Sequence, residues 1–514
     1  MKPDKILLIN TIPSSLKGVK KTANFPINIL SIGTWIMKKS NFKVRIIDCL
    51  VEDNYEEIIK NELSKKDILL IGISVMSSCV PNALEITRLI KKFSPETKII
   101  WGGIHCRLYP EQTIQHHLID FVCCGEGEKP LLNLAKCLYS GKPYKDIKGI
   151  LYKEKEKIIK TPEDDFIDLN EIGMMNYSLL NPQVFNKKRA ILLTSRGCPH
   201  RCTFCINVAI KNRRWRFLTA ENVVKEVEYL IRNYGVKIIV FNDESFFVNR
   251  DRTEKILDML LKKKLFLKYA GAARADYFSK GLITPDMLKK MKKLGFYDIG
   301  IGYEFGSQKM LDFIKKDITT KDQLTAAKML AESDIGATFS FMTAFPNETK
   351  KDTLETIRLI RKISLMNPGI TFVEDNGKII QWDDKARVNG PQPYRPYPGG
   401  ELYNYLVEKY KWNTPKKLED WEKYFQENTR YKIEDYPWIK NPNFYAALQF
   451  YIKNGKSNFS IFISRLKMPY PLKLKILLIL FYPFARIRML LNRFEFPFEY
   501  VIGNKLGFIK NFEI

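Results

Sequence analysis

Short β-branched runs alternate with helical stretches over the first 140 residues, and this alternation is the strongest constraint on the fold. Strands separated by helices cannot pair as hairpins, so they form a parallel sheet with helices on both faces. A doubly wound α/β domain is predicted, with ligands at the carboxyl ends of the strands. We predict strands at 5–10, 43–48, 67–75, 98–103 and 120–126, with helices near 26–40, 54–65, 80–94 and 128–139.

The alternation restarts near residue 189 and continues over five or six further units. Successive β/α units predict a partial or complete barrel of the TIM type, which carries its reactive groups at the carboxyl ends of the strands. Cys198, Asp243, Arg274 and Glu304 all fall at such ends. The strands are predicted at 190–195, 236–243, 268–274, 297–304 and 337–345, with helices near 220–234, 251–263, 284–294, 321–333 and 350–363.

Composition and periodicity divide the chain into four regions. The segment between the two alternating regions is charge-rich and weakly periodic, which is typical of a linker packed on its neighbours. Beyond residue 366, a segment rich in Pro, Gly and Asn gives way to helical, aromatic and basic sequence. We expect a first α/β domain at 1–141, a linker at 142–188, a partial (β/α) barrel at 189–366 and a mainly helical region at 367–514.

Charge and cysteine usage limit the partners and the compartment. The formal charge is +27, but the basic residues are dispersed and no nucleic-acid motif accompanies them, so solvated lysines are favoured over a nucleic-acid surface. The nine cysteines are unevenly spaced, which favours reduced thiols in a cytoplasm over a disulfide framework. No secretory leader is recognised, and the longest apolar run, 476–485, is too short to span a bilayer. A soluble or peripheral cytoplasmic protein is expected.

Three cysteines follow the first barrel strand, in the segment TSRGCPHRCTFCIN. The spacing Cys-x3-Cys-x2-Cys puts soft thiolates on one loop and would leave one iron of a four-iron cluster without a protein ligand. Two alternatives remain: a zinc site completed by His200, and a redox pair of Cys202 and Cys205. We favour the cluster because His200 lies inside the loop, where it closes a tetrahedron poorly, and because a redox pair leaves Cys198 unused.

The segment from Thr194 to about Glu348 resembles the radical SAM superfamily, in the branch with an N-terminal cobalamin-binding domain. FNDESFF, GAARADYF, GIGYEFGSQ and AFPNET resemble its successive strand motifs, although the glycine usual in the last is Ala344 here. The resemblance implies a [4Fe-4S] cluster held by Cys198, Cys202 and Cys205. It also implies that S-adenosylmethionine (SAM) is bound by Phe204, Asp243, Glu244, Arg274 and Glu304.

The four charged residues among these SAM residues each have a structural alternative. Asp243 and Glu244 could cap the helix that begins after Asn249. Arg274 and Glu304 could form an ion pair across the barrel mouth. The resemblance assigns no catalytic side chain to the protein.

The first 140 residues resemble the flavodoxin-like or Rossmann-like cobalamin-binding domain of the same branch. One motif of that domain, Asp-x-His-x-x-Gly, is missing, because NTIPSSLKGVK follows the first strand. Bound cobalamin is therefore expected without a histidine from that position on cobalt. A degenerate domain kept for packing is the alternative, and His105 could either approach the corrin or cap a turn. The residues implied for cobalamin are Ser74, Met76, Gly102, Gly103 and Gly125.

By resemblance, the main reaction is cobalamin-dependent methylation of an unactivated carbon in a small molecule. A 5′-deoxyadenosyl radical would remove a hydrogen atom, and methylcobalamin would deliver the methyl group. The second hypothesis is a non-methylating radical enzyme, such as an oxidative cyclase acting on a tetrapyrrole or a lipid. A cobalamin or redox sensor with a non-catalytic cluster is the hypothesis from another class. The enzyme hypotheses require an external electron donor such as flavodoxin or ferredoxin.

Residues 466–493 combine a basic character with large apolar side chains. Such a segment can lie among the headgroups of an anionic membrane, which would favour a hydrophobic substrate. Alternatively, Leu474, Leu477, Leu478 and Phe481 form a helix face packed on the barrel, which we favour because most apolar stripes are core. Pro483 is expected to kink or end this helix. The basic residues are Lys473, Lys475, Arg486, Arg488 and Arg493.

Overall fold

The structure of the protein is a computed structural model that describes most of the chain. The described residues are 2–13, 16, 25–155, 157–210, 212–366, 370–373, 379–382, 387–427, 436–442, 444–445, 447–448 and 472–491. The segment that follows the first strand, where the Asp-x-His-x-x-Gly motif is missing, lies largely outside them.

The first sheet contains the five predicted parallel strands, in the order β2-β1-β3-β4-β5. Along β1, Ile6 and Leu8 face the helices α1 and α6, whereas Leu7 and Ile9 face α2 and α3, so this central strand is buried on both faces. The strands are β1 Lys5–Asn10, β2 Lys43–Asp48, β3 Ile68–Ser74, β4 Lys98–Gly102 and β5 Phe121–Cys123. The helices are α1 Ile27–Lys39, α2 Tyr55–Ser64, α3 Val80–Phe93, α4 Ile104–Leu108, α5 Pro110–Gln115 and α6 Glu128–Ser140.

The sheet continues into the segment that was predicted to be an irregular linker. Ile150–Glu154 (β6) pairs antiparallel with β5, and Lys157–Lys160 (β7) pairs antiparallel with β6. Charged residues around this hairpin turn conceal the apolar alternation of the two strands. A short helix, α7 (Leu169–Ile172), then leads to the second unit, and Asp168 caps it by accepting from the backbone of Asn170.

The second unit is a partial barrel of six parallel strands, in the order β17-β14-β13-β12-β11-β8. Its first five strands are those predicted, whereas the sixth comes from the region predicted to be mainly helical. The six barrel strands are β8 Arg189–Leu192, β11 Ile238–Phe241, β12 Lys268–Ala273, β13 Phe296–Glu304, β14 Ala337–Thr343 and β17 Arg387–Pro393. Two antiparallel pairs lie outside the barrel sheet, β9 Ser195–Arg196 with β10 Arg216–Phe217 and β15 Ile370–Val373 with β16 Ile379–Trp382. The helices are α8 Ile206–Ala209, α9 Ala220–Tyr234, α10 Arg250–Lys262, α11 Asp276–Ser279, α12 Pro285–Leu294, α13 Gln308–Phe313, α14 Thr320–Ser333 and α15 Lys350–Met366.

The C-terminal region consists of helices and connecting loops where the structure describes it beyond β17, and part of it packs on the first domain. Its helices are α16 Glu401–Tyr410, α17 Asp420–Glu427 and α18 Leu472–Leu491. Helix α17 contacts α3, where Arg88 pairs with Glu422 at 2.9 Å, and the Trp421 indole donates to Gln112 at 2.7 Å. Helix α18 continues through Pro483, so the proline does not end it. Among the described helices, none has the length and apolar character needed to cross a membrane.

Candidate active site

The cysteine loop lies at the carboxyl end of β8, and its backbone folds back on itself. Gly197 has φ +89°, and a Cβ there would collide with the carbonyl of Arg214, so this position requires glycine. The Cys198 amide donates to the Asn212 carbonyl at 3.1 Å, which holds the loop against the following segment. The Cys205 amide donates to the Cys202 carbonyl at 3.1 Å, which closes the turn between the last two cysteines.

The three thiols of this loop share one partly buried environment. Cys202 is buried, Cys198 and Cys205 are half-buried, and none forms a disulfide. Burial raises the pKa of the Cys198 and Cys205 thiols, and the neighbouring Cys202 raises both further. The three thiols therefore lie near enough to influence one another's charge, as expected for ligands of one cluster. Among the described residues, no three His, Cys, Asp or Glu side chains are spaced to hold a single metal ion.

His200 is engaged away from the thiols. Its Nε2 lies 2.8 Å from the Tyr277 hydroxyl, and the two rings are tilted against each other. Burial lowers the pKa of His200 to about 4, and the nearby Arg274 cation contributes to the shift. The imidazole is therefore neutral and bonded to α11, which argues against the zinc alternative that needs it as a fourth ligand.

Arg274 lies against the cysteine loop rather than against Glu304. Its Nη1 is 3.8 Å from Cys202 Sγ, and its Nε donates to Asp276 at 3.0 Å. Glu304 instead pairs with Lys316 at 2.8 Å, and both of these side chains are buried. The alternative of an Arg274–Glu304 ion pair is therefore wrong. Lys316, which the sequence did not single out, is a second buried cation at this mouth.

Asp243 and Glu244 differ in what they contact. Asp243 is buried and accepts from the Ser195 hydroxyl at 2.6 Å and from Thr194 at 3.0 Å, so it anchors the strand that enters the cysteine loop. Burial raises the pKa of Asp243 to about 6. Glu244 is exposed. Helix α10 is capped by Asn249, which accepts from the Arg252 amide at 2.9 Å, so the capping alternative for the two acids is wrong.

The turn after β14 closes the mouth of the barrel on the far side of the cysteine loop. Ala344, where the resembled motif would have glycine, has φ +61°, so its backbone is left-handed despite the Cβ. Glu348 is held under this turn, where it accepts from the Phe345 amide at 3.1 Å and from Thr353 at 2.7 Å. The Phe345 ring meets the ring of Phe204 edge-on at 6.0 Å. The aromatic residue of the cysteine loop therefore reaches across to this turn.

The predicted cobalamin residues lie along one edge of the first sheet. Ser74 and Gly102 are paired at the carboxyl ends of β3 and β4. Gly103 has φ +98°, and a Cβ there would come within 2.8 Å of the Val75 carbonyl. A Cβ on Gly125 would meet nothing within 4 Å, and Met76 is 47% exposed. This edge is open at Gly125 and Met76, which leaves room for a ligand at the strand ends.

His105 does not lie at the open edge. It is fully buried, its Nδ1 lies 3.1 Å from the Ser77 hydroxyl, and its ring meets Trp421 of α17 edge-on. Burial lowers the pKa of His105 to about 3, so the imidazole is neutral. Of the two roles considered for His105, the turn-capping role fits its bond to Ser77, which opens the turn Ser77–Cys79, better than an approach to the corrin.

Comparisons with known families match both units. Residues 21–135 match the B12 binding domain, and residues 192–360 match the radical SAM superfamily. The chain therefore carries a radical SAM domain preceded by a B12-binding domain, as the cysteine loop and the two sheets indicate. The radical SAM domain identifies it as an enzyme. The radical SAM domain implies a [4Fe-4S] cluster and SAM, and the B12-binding domain implies cobalamin.

Particular relatives and solved structures match most of this chain. An uncharacterized methyltransferase of Pyrococcus horikoshii is 28% identical over 79% of this chain and 84% of its own length. The anaerobic magnesium-protoporphyrin IX monomethyl ester cyclase of Rubrivivax gelatinosus is 24% identical over 71% of this chain, but the match covers only 63% of the cyclase. The cobalamin-dependent radical enzyme OxsB, solved with aqua-cobalamin and SAM, superimposes with a TM-score of 0.67 at 20% identity over 95% of this chain and 72% of its own. The methyltransferase TsrM of Kitasatospora setae has a TM-score of 0.59 at 16% identity, with 71% and 70% covered. These two likenesses concern the fold.

Proposed function

We propose that the chain is a cobalamin-dependent radical SAM methyltransferase that acts on an unactivated carbon of a small molecule. The observation that carries the proposal is the direct contact between its two cofactor-binding units. Arg196, just before the cysteine loop, donates to Glu128 of the first domain at 2.7 Å. The methyltransferase named in Pyrococcus horikoshii, which the chain matches over most of that protein's length, supports the same reaction class.

The side chains at the barrel mouth would hold and orient the cofactors. The cluster would supply the electron that cleaves SAM, and cobalamin would supply the methyl group. The Arg274 guanidinium beside Cys202 offsets the negative charge of a thiolate ligand. The exposed carboxylate of Glu244 suits an ammonium group such as that of SAM. Asp243 acts indirectly, because it holds Ser195 ahead of the loop.

A non-methylating radical reaction is the second candidate, and the relative from Rubrivivax gelatinosus favours it. That protein is named as a cyclase of a magnesium-protoporphyrin ester, and the match leaves more than a third of it uncovered. A sensor with a non-catalytic cluster ranks behind both enzymes, since the cysteine loop, Arg274 and Glu244 converge at one mouth. Both enzyme candidates need an external one-electron donor such as flavodoxin or ferredoxin.

Anaerobic reconstitution with iron, sulfide, cobalamin and SAM, followed by addition of a one-electron reductant such as reduced flavodoxin, separates these candidates. A methyltransferase is expected to release 5′-deoxyadenosine and also to convert bound cobalamin to methylcobalamin, with S-adenosylhomocysteine as the second product. A cyclase-type enzyme would yield 5′-deoxyadenosine without methylcobalamin, and a sensor would yield neither. Mass spectrometry of metabolites from cells with and without the gene would then identify the substrate.

We also propose that α18 contacts an anionic membrane surface. Large exposed apolar side chains recur along one face of this helix at intervals of four, three and four residues. Ala485, on the other side of the helix, is buried. Such a ridge beside basic residues is typical of a helix that lies in the headgroup region. The side chains on which the packed-helix interpretation rests, together with Lys473, Lys475 and Arg493, lie outside the described residues. The ridge consists of Leu480, Phe484, Ile487 and Leu491, which are 60%, 46%, 52% and 63% exposed.

Replacing Leu480, Phe484 and Ile487 together by serine is expected to abolish binding to anionic membranes. The wild type should float with vesicles of phosphatidylglycerol and phosphatidylcholine at low salt and dissociate at high salt, because charge and apolar contact act together. The matched control replaces Phe93 and Phe266, which are similarly exposed on other helices and loops, and should float like the wild type. Failure of the wild type to float at low salt would rule out the membrane contact, as would equal flotation of the triple variant.

A further inference from the structure

Four charged side chains meet where the first domain contacts the cysteine loop, and we call them the interdomain ion cluster: Arg196, Arg216, Glu126 and Glu128. Arg196 lies 2.7 Å from Glu128 and 3.2 Å from Glu126. Arg216 donates to both oxygens of Glu126, at 2.8 and 2.9 Å. These side chains are between 2% and 15% exposed, so water screens their charges only weakly.

The four charges of the interdomain ion cluster compensate one another across the two domains. Arg196 and Arg216 stand directly opposite each other in the β9–β10 ladder, where two like charges repel. Glu126 accepts from both guanidinium groups and so removes this repulsion. Because a buried charge without a partner is strongly unfavourable, separation of the two domains would leave charges of one sign on each side.

The first-domain half of the interdomain ion cluster is itself held rigidly. Ser31 of α1 donates to Glu128 at 2.6 Å and accepts from Arg196 at 2.8 Å. A Cβ on Gly127 would lie 2.7 Å from Ile32, so α1 packs directly on the turn that carries the two acids. Glu128 is the first residue of α6, where the helix dipole favours a carboxylate.

The position of these four residues in the sequence relates them to both cofactor sites. Glu126 directly follows Gly125 at the open edge of the first sheet, and Arg196 precedes Cys198 by two residues. The contact between Glu126 and Arg196 therefore joins the proposed cobalamin edge directly to the residues that precede Cys198. A planar guanidinium between two carboxylates fixes direction as well as distance, which a flexible lysine does not.

We propose that the interdomain ion cluster sets the distance and orientation between cobalt and the iron–sulfur cluster, so that SAM bound at the cysteine loop can reach the cobalt. This inference rests on the proposed function and deepens it. The four side chains are positioning residues, because they act through the backbone of the cysteine loop and of the Gly125 turn. Breaking one of their contacts should loosen this spacing while each cofactor remains bound in its own unit.

Pulsed electron paramagnetic resonance tests this spacing directly, because cob(II)alamin and the reduced [4Fe-4S] cluster each carry an unpaired spin. The wild type should give one narrow distance distribution. Glu128→Gln and Arg196→Gln should give broader distributions, whereas Arg196→Lys should fall between them and the wild type. The control is Glu62→Gln, which breaks the partly buried contact of Glu62 with Lys5 at 3.1 Å within the first domain and should leave the distribution narrow.

Iron and cobalt contents show whether each variant is loaded, and Glu128→Gln is the decisive one because α6 contributes no ligand to the iron site. A Glu128→Gln protein with both metals and an unchanged narrow distribution would overturn the inference while the proposed function stands. A broadened distribution together with a lower yield of methylcobalamin per SAM consumed would support it. A wild type that retains no cobalamin would overturn the proposed function and this inference together.

Discussion

Replacing any one of Cys198, Cys202 or Cys205 by alanine is expected to reduce the formation of 5′-deoxyadenosine from SAM to background. Each thiolate would hold one iron, so its removal leaves two irons without a protein ligand and the cluster is lost. Anaerobically purified wild type should contain about four iron and four sulfide per chain, and each variant far less. Metal analysis and chromatography of the nucleoside products measure both effects.

The control for the cysteine variants is Cys137→Ala, which removes a half-buried thiol from α6, away from the loop. It should retain the iron and the SAM cleavage of the wild type. Zinc in place of iron in anaerobic wild-type protein would favour the zinc alternative instead. If the triple alanine variant still releases 5′-deoxyadenosine, the cysteine loop does not hold the catalytic cluster.

The architecture could be predicted from the sequence because its signals are local and repetitive. The inner parallel strands are buried on both faces, so each appears in the sequence as a short β-branched run. The helices between them repeat their apolar residues with a helical period. The hairpin at 150–160 was missed because charged residues interrupt its short strands. The sixth barrel strand, Arg387–Pro393, was missed because it contains Pro391 and Pro393 and follows a region without periodic signal.

The residues of the cysteine loop could be predicted because their spacing is itself the signal. The pairing of charges could not, since partners such as Lys316 and Glu304 are chosen by the way strands and loops meet in space. No sequence pattern distinguishes Lys316 from the many other lysines of this chain. No local pattern pairs Arg196 with Glu128 either, because 68 residues separate them.

The predicted roles of Arg274 and Asp243 illustrate the same limit. Both lie at strand ends, as expected, but Arg274 contacts Cys202 and Asp243 contacts Ser195. Strand-end position therefore indicates membership of the site without specifying which ligand a side chain touches. For Arg274, Asp243 and the other predicted SAM residues, direct contact with SAM stays a prediction.

Among the predicted cobalamin residues, Gly125 allows the sharpest test. Gly103 is a poor position to change, because its φ of +98° and the close Val75 carbonyl would strain any side chain, at a cost of roughly 1 to 3 kcal/mol. If a Gly103 variant lost cobalamin, the cause could be either misfolding of the domain or steric exclusion of the cofactor from its site. Gly125 has no left-handed backbone requirement, and a Cβ at this position would have no neighbour within 4 Å. A large side chain there fills open space at the sheet edge without disturbing the fold.

Gly125→Phe is therefore expected to lose cobalamin while it keeps the thermal stability and the iron content of the wild type. The phenyl ring would occupy the space in which a corrin lies flat against the strand ends, so binding is excluded sterically. The wild type should retain cobalamin after gel filtration, with a spectrum of cobalt that lacks histidine ligation, since the segment NTIPSSLKGVK offers none. Gly141→Phe is the matched control, because Gly141 also has no neighbour within 4 Å of a Cβ but lies at the end of α6, and its left-handed φ of +72° makes it the more strained change. If Gly125→Phe retains cobalamin at the wild-type level, the corrin binds elsewhere, because the phenyl side chain and the corrin cannot both occupy the space beside residue 125.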